Sequence, residues 1–292
     1  MTPIDKRLLR AMPLPAHAGD ADKDARGKVL AIGGSLEVPG GILLASVAAL
    51  RAGAGKLQIA TCASIAPLLG LSVPEALVVA LPETPAGGID PAALDLLRSK
   101  VEHCNAVLLG PGMSDDAAVA ALTRSLIGVE CEAALVLDAA ALAALGDEAE
   151  ALKHRCGDVV LTPHAGEMAT LLGIDRDTVL ADPQAIAVEA AARLGCVVAL
   201  KGGETVIATP NGETFHYTGG SVGLATSGSG DTLAGIVTGL MARGADGVTA
   251  AVWGVYLHGK AGRVLTKRQG PIGFLARELL DEVPRVMAKL CR

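Results

Sequence analysis

Short apolar runs that end in glycine or a polar turn recur along the chain. They are "KVLAIGGS" (28–35), "AVLLGPG" (106–112), "LVLDAAA" (135–141), "VVLTPH" (159–164) and "VVALKGG" (197–203). Runs apolar on both faces are the pattern of strands buried in a parallel sheet. Helix-patterned segments lie between them, at 41–52, 90–100, 116–126, 166–173 and 184–194. The alternation predicts right-handed βαβ crossovers. In such sheets ligands bind beyond the carboxyl ends of the strands, so the five turns should gather at one edge. "VIATPNGETFHYTGG" (206–220) breaks the pattern, because "PNGE" between two β-type runs predicts a hairpin. The expected fold class is therefore α/β, with a mostly parallel central sheet flanked by helices and a short antiparallel edge hairpin. The first 26 residues are polar and proline-bearing and read as an arm. No linker or repeat divides the rest, so residues 27–292 are expected to form a single domain.

Composition narrows the function. With 292 residues, 51% of them hydrophobic, a sizeable core is available. Aromatics are only 2% and the net charge is −6, which argues against a nucleic-acid surface. No apolar run reaches the ~18 residues of a membrane span, and no signal-like segment opens the chain. The six cysteines form no CxxC pair and read as reduced thiols, so a cytoplasmic location is expected. The six histidines do not fall at metal-ligand spacing.

The turns carry the candidate chemistry. "TSGSGDTLAGI" (226–236) sets Gly228, Ser229 and Gly230 directly before Asp231 and an apolar helix. The small residues permit a sharp turn. Their N–H groups converge near a helix start, which favours an anion. Asp231 is either an acid that favours the helix N-terminus or a base beside a bound phosphate, and the residues alone leave both open. "LTPHAGEMATLLG" (161–173) places His164 before an amphipathic helix with Glu167 three positions on. That is a capping arrangement, or else His164 faces a ligand and Glu167 a metal or water. In "LKGGET" (200–205), Lys201 is a solvated strand-end charge or, with Thr205, a donor to an anion that Gly202 and Gly203 let approach. No GxxxxGK[ST] phosphate loop occurs anywhere. "GPGMSDD" (110–116) marks a sharp turn, and "GGSLEVPGGILLASVAALRAGAG" (33–55) lacks the GxGxxG fingerprint. There Gly40 and Gly41 either let a flat ligand lie against backbone or simply precede a helix.

Taken together, these turns resemble the ADP-dependent NAD(P)H-hydrate dehydratases, a branch of the ribokinase-like fold. The likeness runs from about Gly27 to about Leu290. It is carried by "GKVLAIGGS", "AALRAGAGKLQIAT", "LGPGM", "LTPHAGEMATLL", "LKGGETVIA", "GLATSGSGDTLAGIVTGLMARG" and "GVYLHGKAG". The resemblance implies a ribokinase-like three-layer fold and two neighbouring sites. Hydrated NADH or NADPH would contact Gly41, Gly112, His164 and Asp231. ADP would contact Lys201, Gly202, Gly203, Glu204, Thr205 and Gly230. Gly228, Ser229 and Gly230 would form an anion hole, and Asp231 would be the catalytic base. The implied reaction phosphorylates the C6 hydroxyl and then eliminates phosphate, leaving NAD(P)H, AMP and phosphate. Mg²⁺ would accompany the phosphates, although the sequence names no metal ligands.

The chain departs from the family pattern in places. Val38, Pro39, Gly40 and Gly41 stand where an aromatic often precedes a Gly-Ala pair. Ala140 replaces an acid, Val73 a histidine and Ser227 a glycine. The epimerase domain often fused upstream has no counterpart before Gly27, so epimerisation is expected from a separate chain. The resemblance further implies a homo-oligomer, with a tetramer as one form. The rival readings are a small-molecule kinase of the same fold, acting on a vitamin precursor of the hydroxyethylthiazole or hydroxymethylpyrimidine type, and a catalytically silent nucleotide-binding regulator.

Overall fold

The computed structural model describes residues 1–16, 22–155 and 157–290, with backbone alone for 147–150. Among the described residues ten strands form one sheet: β1 (Thr2–Pro3), β2 (Lys28–Ile32), β3 (Lys56–Cys62), β4 (Ala76–Leu81), β5 (Ala106–Leu109), β6 (Ala134–Leu137), β7 (Val159–Leu161), β8 (Val197–Leu200), β9 (Thr205–Ala208) and β10 (Thr214–Tyr217). The helices are α1 (Lys6–Ala11), α2 (Pro39–Arg51), α3 (Ala66–Ser72), α4 (Leu94–Glu102), α5 (Asp116–Ile127), α6 (Ala140–Ala143), α7 (Ala165–Leu172), α8 (Arg176–Ala181), α9 (Pro183–Leu194), α10 (Ser229–Ala242), α11 (Gly247–Gln269) and α12 (Ala276–Ala288). Strand order is β1-β10-β9-β8-β7-β6-β5-β2-β3-β4.

Strands β2 to β8 run parallel, and only β9 opposes its neighbours. The five apolar runs are strands β2, β5, β6, β7 and β8, and their carboxyl ends share one edge. The predicted hairpin is β9–β10, with Thr214 opposite Ala208. It does not end the sheet, because β1 pairs in parallel with β10, Thr2 opposite Phe215. The reading of residues 1–26 as a loose arm is corrected for this first stretch. Asp5 caps α1 by accepting from the Arg7 and Leu8 N–H groups. Ile4 and Leu9 then enter the main core. Two apolar anchors among polar neighbours are a weak sequence signal, yet they suffice beside a strand edge. Cys62, Cys104, Cys131 and Cys196 are free thiols, while Cys156 and Cys291 lie outside the described residues.

Helix α10 positions the site. Its positions from Thr232 to Ala242 are buried all round, which marks a central rather than a surface helix. It packs against α2 at backbone contact. A Cβ on Gly235 would lie 2.1 Å from the Ala45 carbonyl oxygen, and one on Gly239 would lie 2.4 Å from that of Ala49. Only glycine permits this approach. The consequence is that the N-terminus of α10, with Asp231, meets the N-terminus of α2, with Gly41, at the carboxyl edge of the sheet.

Candidate active site

Two adjoining regions form at this edge. The first is a cavity of about 790 Å³. Its lining combines polar groups and backbone from His164, Lys201, Gly202, Gly203, Thr205, Ser229 and Gly230 with apolar surface from Tyr217, Val222, Leu224, Leu233 and Val255. The second is a cluster of Gly41, Gly112 and Asp231. A Cβ on Gly41 would lie 2.8 Å from the Gly112 nitrogen and 3.3 Å from Asp231 Oδ1. Gly112 itself has φ +68° and sits against the Val38 carbonyl. The two regions meet at Gly230 and Lys201, where a Cβ on Gly230 would lie 3.2 Å from Lys201 Nζ.

Asp231 is the third residue of α10, after the left-handed Gly228 at φ 85°. Burial pushes its carboxyl up to about 6, and the charges of Asp138 and Glu167 add to that while Lys201 opposes it. The N–H of Thr232 opens the helical ladder onto the Gly228 carbonyl at 3.0 Å. One detail differs from the expected anion hole. The Ser229 N–H turns back to the Thr226 carbonyl at 3.2 Å, so this residue's free donor is its hydroxyl. Ser229 Oγ lies 2.9 Å from Nε2 of His258, a pocket residue from α11.

Lys201 closes β8 and bridges in parallel to His164, its N–H donating to the Pro163 carbonyl at 2.7 Å. Its Nζ donates to Asp138 Oδ1 at 2.7 Å and lies 3.7 Å from Glu167 Oε2. Burial works against the ammonium, but Asp138, Glu167 and Asp231 outweigh it and hold the lysine above its ordinary value. The solvated-charge reading of Lys201 is therefore overturned. Asp138, 1% exposed at the end of β6, also accepts from the Thr162 hydroxyl at 2.8 Å. Sequence reasoning missed its role; the signal was an acid closing a strand-like apolar run. His258 was likewise visible only inside the "GVYLHGKAG" stretch.

His164 does cap α7. Its Nδ1 accepts from the Gly166 and Glu167 N–H groups at 3.0 and 3.1 Å, and Glu167 Oε2 accepts from the His164 N–H at 2.7 Å. The reciprocal box is complete. It also leaves His164 on the cavity wall. With Nδ1 accepting, a neutral ring carries its proton on Nε2, which lies 3.4 Å from Glu167 Oε1. Glu204 is a correction. Its carboxylate turns onto His216 Nε2 at 2.6 Å, on the exposed face of the hairpin, and it is not among the pocket-lining residues. The turn "GG" brings backbone to the cavity, but the glutamate after it pairs with His216 instead of lining it.

Among the described residues no group of three or more His, Cys, Asp or Glu side chains is placed to hold a metal ion. Asp138, Glu167 and Asp231 instead converge on Lys201, whose ammonium takes the place of a protein-held cation. A magnesium ion at this site fits as a companion of ligand phosphates, with waters completing its shell.

A profile described as NAD(P)H-hydrate dehydratase matches residues 29–285. The chain belongs to the NAD(P)H-hydrate dehydratase family. An ADP-dependent (S)-NAD(P)H-hydrate dehydratase of Xanthomonas campestris is 49% identical over 292 residues, covering 99% of this chain and 97% of the relative. The crystal structure of an ADP/ATP-dependent NAD(P)H-hydrate dehydratase from Bacillus subtilis, co-crystallised with ATP and Mg²⁺, superposes with TM-score 0.84 at 31% identity, covering 99% and 98% of the two chains. A ribokinase-like protein of Enterococcus faecalis superposes with TM-score 0.83 at 28% identity, covering 99% and 96%. The ribokinase-like three-layer fold of this NAD(P)H-hydrate dehydratase family member thus stands as expected.

Proposed function

We propose that this chain dehydrates the S-epimer of hydrated NADH or NADPH with ADP as phosphoryl donor, giving NAD(P)H, AMP and phosphate. The observation that carries this reading is the placement of Asp231. It touches the Gly41–Gly112 cluster on one side and adjoins Gly230 and Lys201 of the cavity on the other. A base between two ligand regions is what transfer from one ligand to the other requires. A carboxyl pushed up to about 6 is ionised at neutral pH yet basic enough to accept a proton.

Hydroxide is a poor leaving group, and phosphate is a good one. Asp231 takes the proton of the C6 hydroxyl as its oxygen attacks the β-phosphorus of ADP, and the bond to the AMP oxygen breaks. Lys201 and the N–H groups of Gly228 and Gly230 offset charge on the moving phosphoryl group. The ring nitrogen then expels phosphate, and a proton leaves the adjacent carbon to restore the dihydronicotinamide. Magnesium, when bound, offsets phosphate charge. His164 exchanges the Glu167 carboxylate for the hydrated ring as the partner of its Nε2–H, and Gly112 supplies a close, flat wall. The R-epimer would need a separate epimerase chain, and the family resemblance favours a homo-oligomer.

The test mixes protein, ADP and hydrated NADH and follows the absorbance of reduced nicotinamide. Its return, with AMP and phosphate in equal amounts, is expected. A stable phosphorylated product would make the chain a kinase, and no reaction despite ADP binding would make it a regulator. ADP is expected to outperform ATP, since the 49% identical relative is named ADP-dependent and the sequence has no GxxxxGK[ST] loop. Faster turnover with ATP at equal concentration would reverse that order.

A further inference from the structure

We infer that His258 and Ser229 act as a relay that presents one hydroxyl donor to the terminal phosphate of the nucleotide. In it His258 is a positioning residue and Ser229 makes the contact. The inference deepens the proposed function and rests on it.

Three observations carry it. First, Ser229 Oγ and His258 Nε2 are 2.9 Å apart, and both residues line the cavity together with Lys201 and Gly230. The pair therefore shares the cavity with the lysine, whose charge reaches His258, and with the residue that precedes the base. Second, the Ser229 N–H is turned back to the Thr226 carbonyl, so the hydroxyl is the donor this residue has left to offer. Third, the two partners come from different elements. Ser229 is the first residue of α10 and His258 lies in the middle of α11. The hydrogen bond thus fixes the hydroxyl from outside the glycine-rich turn, where local backbone alone would leave it free to rotate.

The protonation state leaves the ring one N–H, and the relay takes the tautomer that carries it on Nε2. Burial pushes His258 down to about 4, its contact with Ser229 works against that, and the Lys201 charge reinforces it. The ring is therefore neutral at working pH and has one N–H to give. When Nε2–H donates to Ser229 Oγ, one oxygen lone pair is taken and the serine's own proton is directed elsewhere. The cavity is the open direction, and an anionic oxygen there is the strongest acceptor available. A neutral histidine achieves this without adding a second cation beside Lys201.

Calorimetry on the full chain with ADP and with AMP, run beside turnover and thermal melting, tests the relay. Ser229→Ala and His258→Leu are each expected to lose about tenfold or more in ADP affinity, the usual worth of a hydrogen bond to a charged group. AMP, which lacks the terminal phosphate, should bind each variant as it binds the wild type. The double variant should bind ADP no more weakly than either single one, because the two groups act as one unit. His258→Gln, whose amide can donate in place of the imidazole, should recover most of the ADP affinity. Equal losses for ADP and AMP would overturn the inference, since a purely structural bond between α10 and α11 disturbs the whole pocket. Unchanged ADP affinity in both single variants would overturn it too. Failure of the wild type to bind ADP at all would instead remove the functional reading on which the relay depends, and the relay with it.

Discussion

Lys201 Nζ rests 2.7 Å from an oxygen of Asp138, joining the ends of β8 and β6 across the end of β7. The two strands are not neighbours, so the ion pair ties the carboxyl edge of the sheet together over the site. Asp138 has little solvent to fall back on, at 1% exposed.

Removing the lysine should therefore cost stability as well as binding. Lys201→Met leaves a buried carboxylate unpaired, a loss of about 3–5 kcal/mol. Adding Asp138→Asn should return much of that stability. ADP affinity should stay at least about tenfold down in both variants. Urea denaturation measures the first effect and calorimetry the second. Unaltered ADP affinity in Lys201→Met would confine the lysine to a structural role.

Asp231 gives a prediction with opposite signs for stability and activity. Its carboxyl is pushed from 3.8 to about 6 in the folded chain. The folded state then holds the proton more tightly than the unfolded state, and stability falls as pH rises through that window. At pH 7 the ionised group is a burden on the fold. Asp231→Asn should melt at or above the wild-type temperature at neutral pH, with the advantage fading at about pH 4, where the wild-type carboxyl is also neutral. Turnover should fall at least ~100-fold. For the wild type, kcat/KM should decline below about pH 6. A folded Asp231→Asn protein with near-normal turnover would return Asp231 to the role of a helix-start acid.

His164 both caps α7 and faces the cavity, and two substitutions separate these duties. Asparagine is a good N-cap, so His164→Asn should keep stability, while His164→Ala should lose about 1 kcal/mol. Both lack the Nε2–H and should raise KM for the hydrated cofactor. Wild-type kinetics in His164→Asn would leave capping as the residue's whole task.

Gly112→Ala should strike the cofactor side alone. A Cβ there would lie 2.3 Å from the Val38 carbonyl oxygen, at φ +68°. The strain should cost roughly 1 kcal/mol or more. Turnover of hydrated cofactor should drop while ADP affinity holds. Parallel loss of both would mean that the cluster and the cavity are one site.

The buried centre of the fold was the legible part. Strands β2, β5, β6, β7 and β8 are apolar on both faces and end in abrupt turns, so their pattern is hard to mistake. Strands β3 and β4 escaped notice. Lys56 and Gln58 interrupt β3, and β4 is an edge strand with Leu77 54% exposed. In the site, the Gly228–Gly230 turn drew attention to Asp231 after it, the Gly202–Gly203 turn to Lys201 before it, and Pro163 to His164. Asp138 and His258 act through partners 63 and 29 residues away, and no local spacing encodes such a meeting. Glu204 shows the converse error. It lies in the right turn, but its side chain pairs with His216 and does not line the cavity.

The pairing of β1 with β10 has a kinetic consequence. The second residue of the chain meets Phe215, roughly two hundred positions later. During synthesis from the N-terminus, Ile4 and Leu9 therefore emerge long before the strand that shelters them. Closing so long a loop is slow compared with forming βαβ units from neighbouring segments. The order of assembly then runs from the middle outward: the parallel centre, the hairpin that walls the cavity with Tyr217, and last the opening residues. Strand β1 is thus the final piece of the sheet.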